Sequence, residues 1–568
     1  MECYSVETIP NEMLETHAGY AFSDKLSGKD EPETFGSRNI SHGAVYLVVA
    51  FGKKNKIERG CEVWKRSDMS RLVKGRFSSP HNSLSALFMS LVTGVVLSAC
   101  SAGPDFRRPD APGVKAYTLT ELPAQTAASP VMGGEAQRFQ FGQDIPAEWW
   151  SLFHSEALNE VIRQALASSP TLDSAKAALR RAQENLNAQA GATLFPKVDA
   201  FLSAGRQKFS PSAFGQTAPG SVFNLYNASV SVSYSLDFSG GLRRELESLQ
   251  AEADFQGFQL QGTYLALTSN IVTAAVKEAS LRAQIRATQE ILSILEKELK
   301  LVERQFEIGS ASRSAVLAQQ AQLAGIRASL PPLEKDLALT RHRLATLSGV
   351  APGEAVLPEF ELEGFALPED LPVSLPSSLV RQRPDIMASE ALLHAASAQV
   401  GVATADLYPK ITLTGSYGYE STKLGGLFDS GANIWSIAAG LTQPVFHGGE
   451  LNAKRRAAIA AYDQAGAAYR ETVLLAFRDI ADVLRALEFD AATLKAQGDA
   501  AEAARRSLEL TQRQFELGAV GYPSLFNADR QYLQARINLV QAQAARYSDT
   551  AALFQALGGP WWKGGDKP

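Results

Sequence analysis

Chemistry at a protein site needs imidazoles, thiols, carboxylates or activated hydroxyls at a workable spacing, and this chain offers few such groupings. Its seven histidines are scattered, and no HExxH zinc motif, phosphate-binding P-loop or GxSxG nucleophile elbow occurs. The three cysteines, Cys3, Cys61 and Cys100, follow neither CxxC nor metal-ligand spacing, which argues against a zinc site or a disulfide framework. Of the histidines, His154, His342, His394 and His447 lie beyond Cys100. His447, in a His447-Gly448-Gly449 turn, reads as a polar cap or a solvated turn residue, with proton sensing as the alternative. No catalytic residue, cofactor or metal is assigned. What remains is one modifiable thiol, Cys100, and two glycine-containing segments, Arg304 to Val316 and Arg513 to Asn527.

The composition sets limits on what these residues can serve. Hydrophobic residues make up 45% of the 568 and charged residues 20%, with a mean hydropathy of -0.10. Such a chain can bury a core and is neither disordered nor a bundle of membrane helices. A net charge of -5 provides no general drive toward nucleic acid.

The best apolar stretch, Leu84 to Leu97, is too short for the ~20 residues a spanning helix needs. It follows Arg71, Lys74 and Arg76 and ends in Leu97-Ser98-Ala99-Cys100, the order of a secretory signal. That ending resembles a bacterial lipobox. The resemblance implies cleavage before Cys100, lipidation of its sulfur and acylation of its new amino group, and Ser101 in place of Asp implies sorting to the outer membrane. Residues 1–68 then read as an upstream extension, with translation starting at Met69, and 69–99 as the signal peptide.

The remainder is written twice, with an offset of about 210 residues. Phe195-Pro196-Lys197 recurs as Tyr408-Pro409-Lys410, and Arg304-Gln305-Phe306-Glu307-Ile308-Gly309 as Arg513-Gln514-Phe515-Glu516-Leu517-Gly518. Leu347-Ser348-Gly349 recurs as Leu557-Gly558-Gly559. The expected organisation is a lipidated segment at 100–151, a first repeat at 152–349, a linker at 350–374, a second repeat at 375–559 and a tail at 560–568.

Each half changes period twice. Helical spacing from Glu156 to Leu194, interrupted at Ser169-Pro170, gives way at Phe195-Pro196 to a period of two. In Val222 to Asp237 the even positions include Tyr226, Val230, Val232, Tyr234 and Leu236, whereas Ser229, Ser231, Ser233 and Ser235 form the other face. Lys197 to Gln207 alternates more weakly. The second half matches with Ile411, Leu413, Tyr417 and Tyr419, then Trp435, Ile437, Ala439 and Leu441. A long helix then begins near Gly240-Gly241 and near Gly448-Gly449 and meets no proline before Gly309 or Gly518; at 1.5 Å per residue each is on the order of 100 Å long. Shorter helices return from about Ala318 and Asn527, and the short helices must stack end to end to match the long ones.

Four strands of bilayer-crossing length cannot close a barrel, and unpaired strand edges in lipid cost several kcal/mol per group. Oligomerisation is therefore expected. Three copies give a twelve-stranded barrel, within the range of outer-membrane barrels. The fold class expected is an α+β membrane protein: a trimeric outer-membrane β-barrel, four strands per chain, continuous with a long periplasmic α-helical barrel and built from two repeats.

Those features, with Gly103-Pro104-Asp105-Phe106, Trp149-Trp150, Arg383-Pro384-Asp385-Ile386, Gln443-Pro444-Val445-Phe446 and Ala556-Leu557-Gly558-Gly559-Pro560-Trp561-Trp562, make the chain resemble a TolC-like outer membrane factor of the lipoprotein, NodT-type branch. The resemblance covers Cys100 to Lys563. It implies a homotrimeric exit duct that docks onto a periplasmic membrane fusion protein and an inner-membrane resistance-nodulation-division pump and does no chemistry itself. It also makes the two glycine segments the gate and docking tips, with Gly309, Ser312, Gly518 and Gly521 as contact positions. The branch commonly reads Leu-Asp-Ala-x-Arg after the second tip, where this chain has Phe526-Asn527-Ala528-Asp529-Arg530. Asn527 and Arg530 are thus the gate residues implied, with the carboxylate missing. Asp529, about 200° round the helix from Asn527, cannot replace it. The competing function is an outer-membrane lipoprotein scaffold or adhesin, against which the repeated greasy-faced hairpins and tunnel-length helices argue.

Overall fold

A computed structural model of the chain describes residues 101–558 except 115, 212–214, 216 and 218. The upstream extension, the signal segment, Cys100 and the tail from Gly559 lie outside the described residues.

In chain order the elements are β1 (Arg138–Phe141), a 3-10 turn (Trp149–Phe153), α1 (Glu156–Ser168), α2 (Pro170–Leu194), β2 (Lys197–Phe209), β3 (Ser221–Leu236) and α3 (Gly241–Glu307). There follow α4 (Arg313–Arg327), α5 (Leu330–Leu347), β4 (Asp370–Val373), α6 (Pro376–Leu379), α7 (Pro384–Ala405), β5 (Lys410–Ser421), β6 (Asn433–Thr442), α8 (Glu450–Glu516) and α9 (Tyr522–Leu557).

The period-two segments form one antiparallel sheet in the order β2-β3-β5-β6. Its register sorts the side chains as the alternation requires. Val230 lies opposite Tyr417, which lies opposite Trp435, and Val232 opposite Gly415 and then Ile437. On the other face Asp199, Ser231, Ser416 and Ser436 form one cross-strand row, closed by a 2.8 Å hydroxyl contact between Ser416 and Ser436. Trp435, on the edge strand β6, is 69% exposed in the single chain.

Each hairpin feeds a helix of 67 residues. At the head of α3 the Asp237 carboxylate accepts from the N–H groups of Leu242 (3.1 Å) and Arg243 (3.0 Å), satisfying two of the donors every helix start leaves free. The second copy has no such carboxylate. There His447 is exposed, with its Nδ1 3.9 Å from Glu450, as a solvated turn residue would be. The short helices lie along the long ones: α2, then α5 and α4, against α3, while α7 and then α9 pack against both α3 and α8.

Two returning helices start earlier than the sequence suggested. α4 begins at Arg313, not Ala318, because Ser312 caps it by accepting from the Ala315 N–H at 3.2 Å. α9 begins at Tyr522, not Asn527, with Pro523 in the first turn where its missing N–H costs nothing. Asn527 is consequently inside a helix. The first return is also broken into α4 and α5 ahead of Pro331-Pro332.

The main core lies where the short helices meet. Trp149, Phe153, Ile271, Ile386, Tyr547 and Phe554 are buried there, and the Trp149 and Phe554 rings sit 5.3 Å apart. A parallel pair, β1 with β4, which the alternation did not reveal, joins residues before the first repeat to those between repeats. The motif residues have structural work. Arg383 donates to the Ala556 carbonyl (3.0 Å) and to Asp479 (2.9 Å), tying the starts of α7 and the end of α9 to α8. Ahead of the core, Ala102 donates to the Ser239 carbonyl (2.9 Å), Arg244 pairs with Asp105 (2.5 Å), and Phe106 stacks on His394 at 4.3 Å.

Phe554→Ala removes a fully buried ring at the hub, and about 3–5 kcal/mol of stability should be lost. The expected outcome is a lowered unfolding temperature with retained helicity, read by circular dichroism.

Candidate functional site

Both helical tips end in the same cap. The N–H of Gly309 donates to the Phe306 carbonyl (3.0 Å) and that of Ser310 to Gln305 (2.8 Å); Gly518 donates to Phe515 (3.0 Å) and Ala519 to Gln514 (2.8 Å). This pair of bonds requires a left-handed residue, which Gly309 (φ +78) and Gly518 (φ +71) supply. A Cβ on either would meet nothing within 4 Å. The residue before each glycine, Ile308 at 79% and Leu517 at 84% exposed, presents a large apolar side chain to solvent. Both occupy the variable position of the Phe-Glu-x-Gly repeat.

Between the tips lies a cleft of about 850 Å³. It brings together Ser312 and Gly521, with Ala315, Phe515, Tyr522 and Phe526 among its walls. Gly309 and Gly518 do not line it. Asn527 and Arg530 are exposed and line a second cleft with Gln322 and Gly325. The Arg530 guanidinium lies 5.6 Å over the Phe526 ring.

Asp529 points the other way, as the 200° argument requires, and its surroundings were not legible in the sequence. It is 0% exposed, and neither carboxylate oxygen meets an N–H or O–H donor. Opposite it on α3 stands a second carboxyl group, Glu298, which accepts from Gln319 Nε2 at 3.2 Å. Burial, and then the Glu298 charge, pushes the Asp529 carboxyl up to about 8. Glu298 is raised as well, by burial. No group of three or more His, Cys, Asp or Glu side chains among the described residues could hold a metal ion.

A greasy-faced sheet continuing into paired 67-residue helices that end in matched tips defines a channel-type outer-membrane protein. The chain belongs to the outer membrane efflux protein family, whose sequence profile matches residues 161–350 and 375–559. It is 30% identical to the pyoverdine export outer membrane protein OpmQ of Pseudomonas putida, over 78% of this chain and 94% of that one. It is 27% identical to the probable outer membrane lipoprotein SilC of Salmonella typhimurium, over 83% and 98%. The solved structure of the outer-membrane channel OprN superposes with a TM-score of 0.73 at 29% identity, covering 81% of this chain and all of that one. The protein is thus an outer-membrane channel component of an efflux system, and nothing in these likenesses favours a scaffold or adhesin.

Gly309→Ala meets no steric obstacle and pays only for the left-handed backbone, about 1 kcal/mol. The Ser310 amide should exchange with deuterium about fivefold faster, as measured by hydrogen exchange at the tip, with the sheet and hub unchanged.

Proposed function

We propose that three copies of this chain associate into a passive exit duct, the outer-membrane stage of a tripartite efflux pump. The observation that carries this is the four-stranded sheet, whose outer strands β2 and β6 have no partner on one side among the described residues. In lipid those edges would leave N–H and C=O groups unsatisfied, and three copies joined edge to edge close a barrel of twelve strands. The apolar row through Val230, Tyr417 and Trp435 faces lipid in this arrangement, and the hydroxyl row through Ser231 and Ser416 faces the lumen. The long helices continue the wall into the periplasm.

Cys100 anchors the chain by lipid. The strap from Ala102 to Asp105, pinned where β3 joins α3, supports an attachment beside the sheet rather than far from it. The tips receive the periplasmic membrane fusion protein: Ile308 and Leu517 offer apolar contacts, while Gly309, Ser312, Gly518 and Gly521 permit close approach. An inner-membrane pump of the resistance-nodulation-division class supplies the cargo and the energy. Asn527 and Arg530 line the gate, where three symmetry-related amides offer dipoles in place of a carboxylate ring. No cofactor and no nucleic acid take part.

Native mass spectrometry of the detergent-extracted protein should show three copies, each with an N-terminal peptide that starts at lipid-modified Cys100. A stable monomer with full strand content, or an unmodified peptide spanning Ala99 to Ser101, would contradict the respective part.

Asn527→Asp should add a narrow ring of negative charge, which in a poorly screened space binds cations. Planar-bilayer recordings should show lower conductance for the variant in Mg²⁺ and a stronger pH response, with the native channel weakly cation-selective and little affected by Mg²⁺. Equal block of both proteins by Mg²⁺ would remove Asn527 from the gate.

A further inference from the structure

The Asp529–Glu298 pair is expensive as it stands. A buried carboxylate facing another carboxylate, with no donor on either oxygen of Asp529, is tolerated only if one proton is held between them. Among the described residues no cation acts on either carboxyl group. α4 contributes the neutral Gln319 and Gln322, the latter buried with no partner on its amide. α8 contributes the apolar Leu508 and Phe515 to the cluster around Leu525 and Ala528. α9 adds Tyr522, whose hydroxyl donates to the Glu298 backbone carbonyl at 3.0 Å. Of the nearby charges, Glu296 is spent on Arg327 and the Arg530 guanidinium stands over Phe526. A second acid pair, Asp490 of α8 and Asp549 of α9, differs because the buried Arg546 guanidinium acts on Asp490.

We propose that Glu298 and Asp529 form a proton-binding site that latches α9 to α3 just behind the tip, one shared proton holding the helices together and its loss driving them apart. This rests on the reading of the tip as a gate, because Asn527 and Arg530 ride on the same turns of α9. Gln319 and Tyr522, which contact Glu298, also line the cleft between the tips, and Glu298 itself is half-buried, so only Asp529 is fully shielded from solvent.

The sign follows from linkage. Asp529 titrates at about 8 when latched, against an ordinary 3.8 once the helices part and water reaches it. The latched form therefore binds the extra proton across that interval, is favoured as pH falls, and is lost as pH rises, by up to about tenfold in the equilibrium per pH unit, levelling above about 8.

Single-channel recordings of the full-length trimer from pH 5.5 to 8.5 test this. The native open fraction should climb steeply up to about pH 8 and then flatten. Asp529→Asn replaces the shared proton with an amide donor and should stay shut with no pH response; Glu298→Gln should do the same. A native channel without pH dependence, or either variant retaining the native response, overturns the latch. Failure of the native protein to conduct at any pH counts against the duct. Infrared spectroscopy then decides the latch on its own: at pH 6.5 a protonated-carboxyl band stronger in the native protein than in Asp529→Asn supports it, and equal bands overturn it.

Discussion

An isolated helix of 67 residues has no core of its own, and this chain contains two. At 1.5 Å per residue each runs on the order of 100 Å, far beyond what a compact domain can wrap. Every other helix answers that constraint. The short ones are laid in series along the long ones, and where one ends and the next begins the chain places its largest buried rings, Trp149, Phe153, Tyr547 and Phe554. The β1–β4 pair and the guanidinium of Arg383 close the same level.

The two halves keep the same frame and diverge in detail. Both tips use the same glycine cap, since a backbone that reverses with two bonds to the last turn demands a left-handed residue whatever the surrounding side chains. The starts of the long helices differ: Asp237 satisfies α3, and in the second half the His447 carbonyl accepts from the Glu450 N–H at 3.0 Å. The returns differ more. α9 runs unbroken for 36 residues, whereas Pro331-Pro332 divides the first return.

Buried charge occurs at both the hub and the tip. Glu278, fully buried, is held by Arg282 (3.0 Å) and Arg341 (2.6 Å), so its charge is compensated. Near the tip the buried acid faces another acid.

Periodicity alone carried much of this architecture. The alternation in Val222 to Asp237, the uninterrupted runs after Gly241 and Gly449, and the repeated Phe-Glu-x-Gly were enough to place the hairpins, the long helices and the tips, because those elements depend on local pattern and on a backbone that glycine or proline punctuates. The Ser312 cap and the first-turn Pro523 start two helices earlier than the apolar period does. The rest depended on contacts between residues far apart in the chain. The β1–β4 pair joins strands of four residues separated by more than 200 positions, too short for any period to register. Helical geometry turned Asp529 away from Asn527, but only the packing of α9 against α3 set it opposite Glu298, about 230 residues earlier. A carboxylate's neighbours in space, rather than its neighbours in sequence, decide whether it meets water, a cation or another acid.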